Sequence, residues 1–223
     1  MKSTYHAAMI AALAAFVGAV VITLAGLALP PDVTGQPSRV PVAAEVFLRA
    51  SNEHGQVVLN FFAGDTLFVV GYLLVFVGLY AALKVVSHPF ALVGMGAGLL
   101  AGVIDAAENA LFIWLALRGQ INPVAVDDPG LPGLMLAAFL LTNLKWLAAF
   151  VTLGAYGLIF PRRNVLEWTI ALLMWGFVLV GVLGVALPVL IVPRGLFLLV
   201  GMPLFAAFFW QEQRALSGHS WSG

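Results

Sequence analysis

The sequence contains no cysteine. That absence removes disulfides, thiolate metal sites, iron–sulfur clusters and cysteine nucleophiles together, and it leaves the redox compartment unreadable. Charge is nearly as scarce: 9% of the 223 residues are Asp, Glu, Lys or Arg, against about a quarter in an ordinary soluble domain. Ten basic residues are matched by ten acidic ones, so no cationic excess exists to neutralise phosphates and no nucleic-acid partner is expected. The four histidines, His6, His54, His88 and His219, stand outside the long apolar runs and none pair at ligand spacing. Intramembrane haem and di-iron sites lack their ligands; no metal and no cofactor is expected. No serine falls within the apolar runs either, which leaves a rhomboid-like protease without its nucleophile.

What remains is apolar. Hydrophobic residues make up 62% of the chain and the mean hydropathy is +1.05, more apolar surface than a water-soluble fold can hide. Runs near the roughly 20 residues needed to cross a hydrocarbon core occur at Ala7–Leu29, Val57–Leu83, Phe90–Leu117, Leu134–Phe160, Trp168–Val192 and Gly195–Trp210. They predict an all-α polytopic transmembrane bundle of six spans, a single domain over residues 1–223. The first run follows Met1-Lys2 and offers a small-x-small site at Gly26-Leu27-Ala28, as a signal peptide does. Its 23 residues exceed the roughly 7–15 of a signal h-region, so an uncleaved first span is expected, with cleavage the alternative. The sixth run is the shortest and follows Pro193-Arg194 after a very tight turn, which leaves a tilted or re-entrant segment as the alternative there.

The connectors carry the expected breakers: Pro30-Pro31 through Pro41, His88-Pro89, Pro123 to Pro132, and Pro161-Arg162-Arg163. Within the longest, Pro30–Gln56, residues Val42–Ala50 suit a short interfacial helix, and Asp127-Asp128 before Pro129-Gly130 reads as a turn. Trp114, Trp168, Trp210 and Trp221 fall near span ends, as interfacial aromatics do. Lys2, Lys84, Arg162, Arg163 and Arg214 lie on one side, and Arg39, Arg49, Arg118 and Arg194 on the other. That bias predicts an inner (plasma) membrane protein with both termini cytoplasmic.

Ionisable groups inside a bilayer are costly, and here they are Asp65, Asp105, Glu108 and Lys145. On the third span Asp105, Glu108 and Asn109 share one face at i, i+3 and i+4, and Phe112 continues it. Gly94, Gly98 and Gly102 precede them on the same stripe, a small-xxx-small series that admits a close neighbouring backbone and predicts the third helix at the centre of the bundle. On the fourth span Thr142, Lys145, Thr152 and Tyr156 share a face; on the second, Asp65, Tyr72 and Tyr80 do. At 1.5 Å per residue, Asp105 and Lys145 both lie about 22 Å from the cytoplasmic ends of their helices. They are therefore expected to pair. Asp65, Glu108 and Thr142 fall about one turn further out.

Three carboxyls against one ammonium leave a surplus of negative charge that protons, a cation or water must offset. The expectation is a polar site between the second, third and fourth spans, built from Asp65, Asp105, Glu108, Asn109, Thr142 and Lys145, that binds or moves a proton, a cation or a small polar ligand. Asp105 and Lys145 would form a switchable pair, Glu108 and Asp65 would carry the proton or bind the cation, and Asn109 and Thr142 would orient them. The first, fifth and sixth spans would face lipid or a second copy of the chain. Two alternatives use the same residues: a lipid or isoprenoid isomerase or cyclase with Glu108 and Asp105 as acid and base, and a structural or assembly subunit held by an interhelical ion pair alone.

Gly64-Asp65 with Asp105 faintly resembles the paired aspartates of intramembrane aspartyl proteases, but the Gly-x-Gly-Asp and Pro-Ala-Leu motifs are missing. Lys145 with Asp105 as counter-ion resembles a retinal Schiff base, but the lysine is not on a last, seventh span. The series Gly64-Asp65, Asp105-x-x-Glu108-Asn109 and Thr142-Asn143-Leu144-Lys145 resembles a pattern in small bacterial multi-pass membrane proteins with no assigned activity. That resemblance covers the second to fourth spans. It implies the same residues and no particular reaction.

Overall fold

The fold is described from a computed structural model, over residues 2–29, 44–121, 129–187 and 191–218. Among these residues the chain is all-helical: α1 (Lys2–Leu27), α2 (Ala44–Glu53), α3 (Gly55–Leu83), α4 (His88–Ile121), α5 (Leu131–Ile159), α6 (Val165–Ala186) and α7 (Ile191–Gly218). All but α2 are long and apolar enough to cross a membrane, as in a multi-pass membrane protein. A short helix is present in the longest connector, as expected, with its bounds at Ala44–Glu53 (α2). The sixth span is no short re-entrant segment: α7 runs for 28 residues through an internal proline, Pro203, about 42 Å at the helical rise.

The six long helices close into a ring in the order α1, α3, α4, α5, α6, α7, each packed on the next, with α7 returning to α1. The start of α1 and the end of α7 share one end of this ring, here called the terminal end; α2 lies at the other, the distal end. Antiparallel pairing is plain from the contacts. A Cβ placed on Gly18 would come within 2.6 Å of the Gly64 carbonyl oxygen, and one on Gly71 within 2.7 Å of the Ala11 carbonyl. Small residues on both helices thus bring the α1 and α3 backbones together, which is how helices gain dispersion contact where lipid supplies no hydrophobic drive.

The α4 glycines serve differently from expectation. Positions 94 and 98 receive the rings of Tyr156 and Phe76, and Gly102 the side chain of Leu73, so the stripe makes room for large side chains of α5 and α3 rather than for a close backbone. Accordingly α4 is one member of the ring, not its centre. The helices α1, α6 and α7 present outer faces rich in exposed leucine and valine, and they also complete the ring and line its interior.

At the terminal end the turn into α6 is a modified capping box. Asn164 caps the helix by accepting from the Glu167 amide at 3.0 Å, and the Glu167 carboxylate accepts from the Arg163 amide at 2.6 Å. Arg163 also donates from Nε to Glu167 at 3.0 Å and reaches Glu212 on α7. Those two carboxylates hold the Arg163 guanidinium above its already high ordinary pKa. Around the membrane-facing rims Trp114, Trp168 and Trp210 lie half-exposed under the guanidinium groups of Arg118, Arg162 and Arg214, at 5.3, 5.4 and 3.8 Å. Each is the amphipathic pair expected where hydrocarbon meets headgroups. Trp221 and the Asp127-Asp128 turn lie outside the described residues.

Candidate functional site

The ring is hollow in its distal half. A cavity of about 520 Å³ is lined by all six long helices and by Phe47 of α2, a size typical of small-molecule pockets. An aromatic group lines its distal end: Phe112 lies 5.0 Å from Phe47 and 5.3 Å from Phe62, centroid to centroid. Most of its wall is apolar. Polar side chains are concentrated where α3, α4 and α5 meet.

There the expected pair is formed, with Lys145 Nζ 2.7 Å from Asp105 Oδ1. Equal depth on adjacent antiparallel helices places them together, and both side chains are buried. Glu108 departs from expectation. Its depth sets it about one turn further out than the lysine, yet its Oε2 makes an ion pair with the same Nζ, and its Oε1 accepts from Thr142 Oγ1. The reason is reach: Asp105 and Glu108 stand one turn apart on one face, and the four-carbon stem of Lys145 carries its ammonium between them. Glu108 is nearly inaccessible, at 2% exposure.

Sequence reasoning missed one member of the site. Tyr72 of α3 donates its phenol to Asp105 Oδ2 at 3.0 Å. It shares a helical face with Asp65, which was the available signal, but nothing in the sequence shows which carboxylate it meets. Asp105 thus has a donor on each oxygen, one from α5 and one from α3, so three helices are joined through a single carboxylate. Thr152 and Tyr156, from the same α5 face, do not join the cluster: Thr152 bonds back to Ala148, and Tyr156 donates to the Phe76 carbonyl at 3.0 Å nearer the terminal end.

Asp65 and Asn109 complete the cluster. The Asp65 carboxyl is close enough to feel the charges of Lys145, Asp105 and Glu108, and the Asn109 side chain is its hydrogen-bonding neighbour. The Asn109 amide lies beside it, buried at 3% exposure, with Nδ2 lacking an acceptor at hydrogen-bonding geometry. An unfilled donor in such a place is costly unless something supplies an acceptor. Both residues line the cavity. All six residues singled out from the sequence are therefore brought around one cavity.

Comparison of the chain with known protein families, with curated proteins and with solved structures finds no match. Geometry alone carries the functional argument.

Proposed function

We propose that this protein is an inner-membrane binding protein, of the transporter or sensor kind, whose central cavity takes up a small ligand and holds its polar group against Asp65 and Asn109. One observation carries the proposal: a cavity of about 520 Å³ has, on its wall, the Asp65 carboxyl beside a buried Asn109 amide whose Nδ2 lacks an acceptor at good hydrogen-bonding geometry. Asp105, Glu108, Lys145, Tyr72 and Thr142 form the network that supports these two. A subunit held only by an ion pair needs no such space, and a dispensable void of that size would forfeit packing along its entire lining.

The isomerase or cyclase alternative draws on the same apolar wall. Against it, three of the four oxygens of Asp105 and Glu108 already accept hydrogen bonds and the fourth lies against Lys145, so neither carboxylate has an oxygen free for proton transfer. Native mass spectrometry of gently extracted protein tests the binding function. An adduct of small-molecule mass is expected on the wild type and not on Ala138→Phe, which fills the cavity from a fully buried lining position. A wild-type spectrum carrying the bare chain mass, or an adduct indifferent to that substitution, counts against it.

A further inference from the structure

The charged residues of the cluster are not equally open to the cavity. Asp105, Glu108 and Lys145 are buried and spend their charges on one another: the ammonium pairs with both carboxylates, and Tyr72 and Thr142 donate to the remaining oxygens. Asp65 is different. It lies within reach of those three charges, yet it is only half-buried and lines the cavity. Among the described residues no ion pair reaches it, because Lys145 is shared by the other two carboxylates. Its hydrogen-bonding neighbour is the Asn109 amide. A carboxylate has about four acceptor positions, so one amide leaves Asp65 with capacity to accept more.

Charge and surroundings then select the occupant. With Asp105 and Glu108 sharing one ammonium, carboxyls outnumber cations even before Asp65 is counted, and buried unpaired charge is costly. Around Asp65 the wall is aromatic. On the same helix Phe62 stands one turn to the distal side, and Phe68 and Tyr72 stand one and two turns to the terminal side; all three line the cavity. The rings of Phe68 and Tyr72 meet edge to face at 5.3 Å. Ring faces attract cations, and carboxylates accept charge-assisted hydrogen bonds from them. A hard inorganic cation, which takes about six oxygen ligands, would find too few. The oxygens of Asp105 and Glu108 are engaged, and no group of three or more His, Cys, Asp or Glu among the described residues could hold a metal ion. An anion would meet three carboxyls against one ammonium. About 520 Å³ of mostly apolar space suits a compact organic body rather than a bare ion.

We infer that the ligand is an organic cation, a compact apolar body bearing one ammonium, which it seats on the Asp65 carboxylate between Phe62 and Phe68. This rests on the proposed binding function and adds the class of ligand. The Asn109 amide then holds the Asp65 carboxylate in place, the two rings flank the charge, and the apolar wall takes the body. Selectivity against neutral and anionic molecules of the same shape comes from the charge, because the wall treats their bodies alike.

The test uses the full chain in lipid nanodiscs and three probes that share one rigid body and differ in the head: 1-adamantylamine, 1-adamantanol and 1-adamantanecarboxylate. Binding is read at neutral pH by equilibrium dialysis, corrected with protein-free nanodiscs for partition into lipid. The amine is expected to reach half-occupancy at about tenfold lower concentration than the alcohol or the acid. Asp65→Asn keeps the shape and the amide contact and removes the charge, so it should bring the amine down to the affinity of the alcohol while the thermal midpoint stays within a few degrees; Asp65→Glu should keep the preference. Phe68→Leu, which removes a flanking ring, should narrow the preference about threefold and keeps the inference testable if Asp65→Asn does not fold. Ala138→Phe should abolish binding of all three. Equal affinity for the three heads, preference for the alcohol or the acid, or an amine preference that survives Asp65→Asn or is untouched by Phe68→Leu overturns the inference. If another head is preferred and Ala138→Phe blocks it, the binding function stands with a ligand of another class. If the probes bind and Ala138→Phe leaves all three unchanged, the binding function itself fails. If none binds, the inference falls, and the wild-type adduct still decides the binding function.

Discussion

The terminal and distal halves of this ring are built from the same kinds of helix and differ in what fills them. In the terminal half, alanine and glycine bring α1 against α3, and Tyr5, Phe160, Phe208 and Phe209 are buried in one packed cluster. In the distal half the helices carry equally apolar residues, but a network of charged and hydroxyl side chains braces α3, α4 and α5 apart from α1, α6 and α7, and space remains. Ion pairs are a costly way to join helices when small residues do the same. At the terminal rim Arg163 ties α6 to α7 through Glu167 and Glu212, whereas the buried Asp105–Lys145–Glu108 group stands on the cavity wall and presents a polar surface to it.

The largest effect should come from the distal half. Lys145→Met leaves Asp105 and Glu108 buried without their ammonium, at a cost of about 3–5 kcal/mol, read as a lowered thermal midpoint in detergent. Asp105→Asn combined with Lys145→Met should be milder than either change alone, because it removes the uncompensated charge; a double variant showing the summed loss of the singles would falsify the pairing. Glu108 moderates the rescue, since it also loses the lysine.

In the terminal half the sensitive property is volume rather than charge. Gly71→Leu drives a side chain into the Ala11 carbonyl and Ala15, already 2.7 Å from a Cβ at that position, and should destabilise by about 1–3 kcal/mol. The same exchange at Gly133, where a Cβ meets nothing within 4 Å, should be nearly silent. Equal losses at the two positions would mean that α1 and α3 are not in close contact. Among the changes that remove a contact, the smallest effect is expected at Tyr72. Removing its hydroxyl with Tyr72→Phe deletes one interhelical hydrogen bond, about 0.6 kcal/mol, and unfolding in mild detergent should shift by no more than a few degrees.

Much of this was legible in the sequence. Apolar runs and their breakers predict the six spans, and equal depth on neighbouring spans predicts the contact of Asp105 with Lys145. Position along a helix axis is fixed by residue count, so depth survives without knowledge of the partner. What was hidden depends on side-chain reach and on helix order around the ring. Glu108 meets Lys145 because a lysine stem spans one helical turn, and Gly94 and Gly98 turn out to seat Tyr156 and Phe76 because only the assembled neighbours show what faces them. The closure of α7 onto α1 depends on contacts across almost the whole length of the chain, for which α1 and α7 carry no charged or polar pattern to announce it.

A hollow distal half and a solid terminal half differ most directly in access to a small reagent, and a chain without cysteine allows that difference to be measured cleanly. Single variants Ala138→Cys, on the cavity wall, and Ala15→Cys, in the α1–α3 contact, would be exposed in intact membranes to N-ethylmaleimide and the modified fraction followed by mass. Ala138→Cys should be alkylated and Ala15→Cys should stay unmodified, although both positions are fully buried. Equal resistance at the two positions would contradict the existence of an accessible cavity and, with it, the binding function.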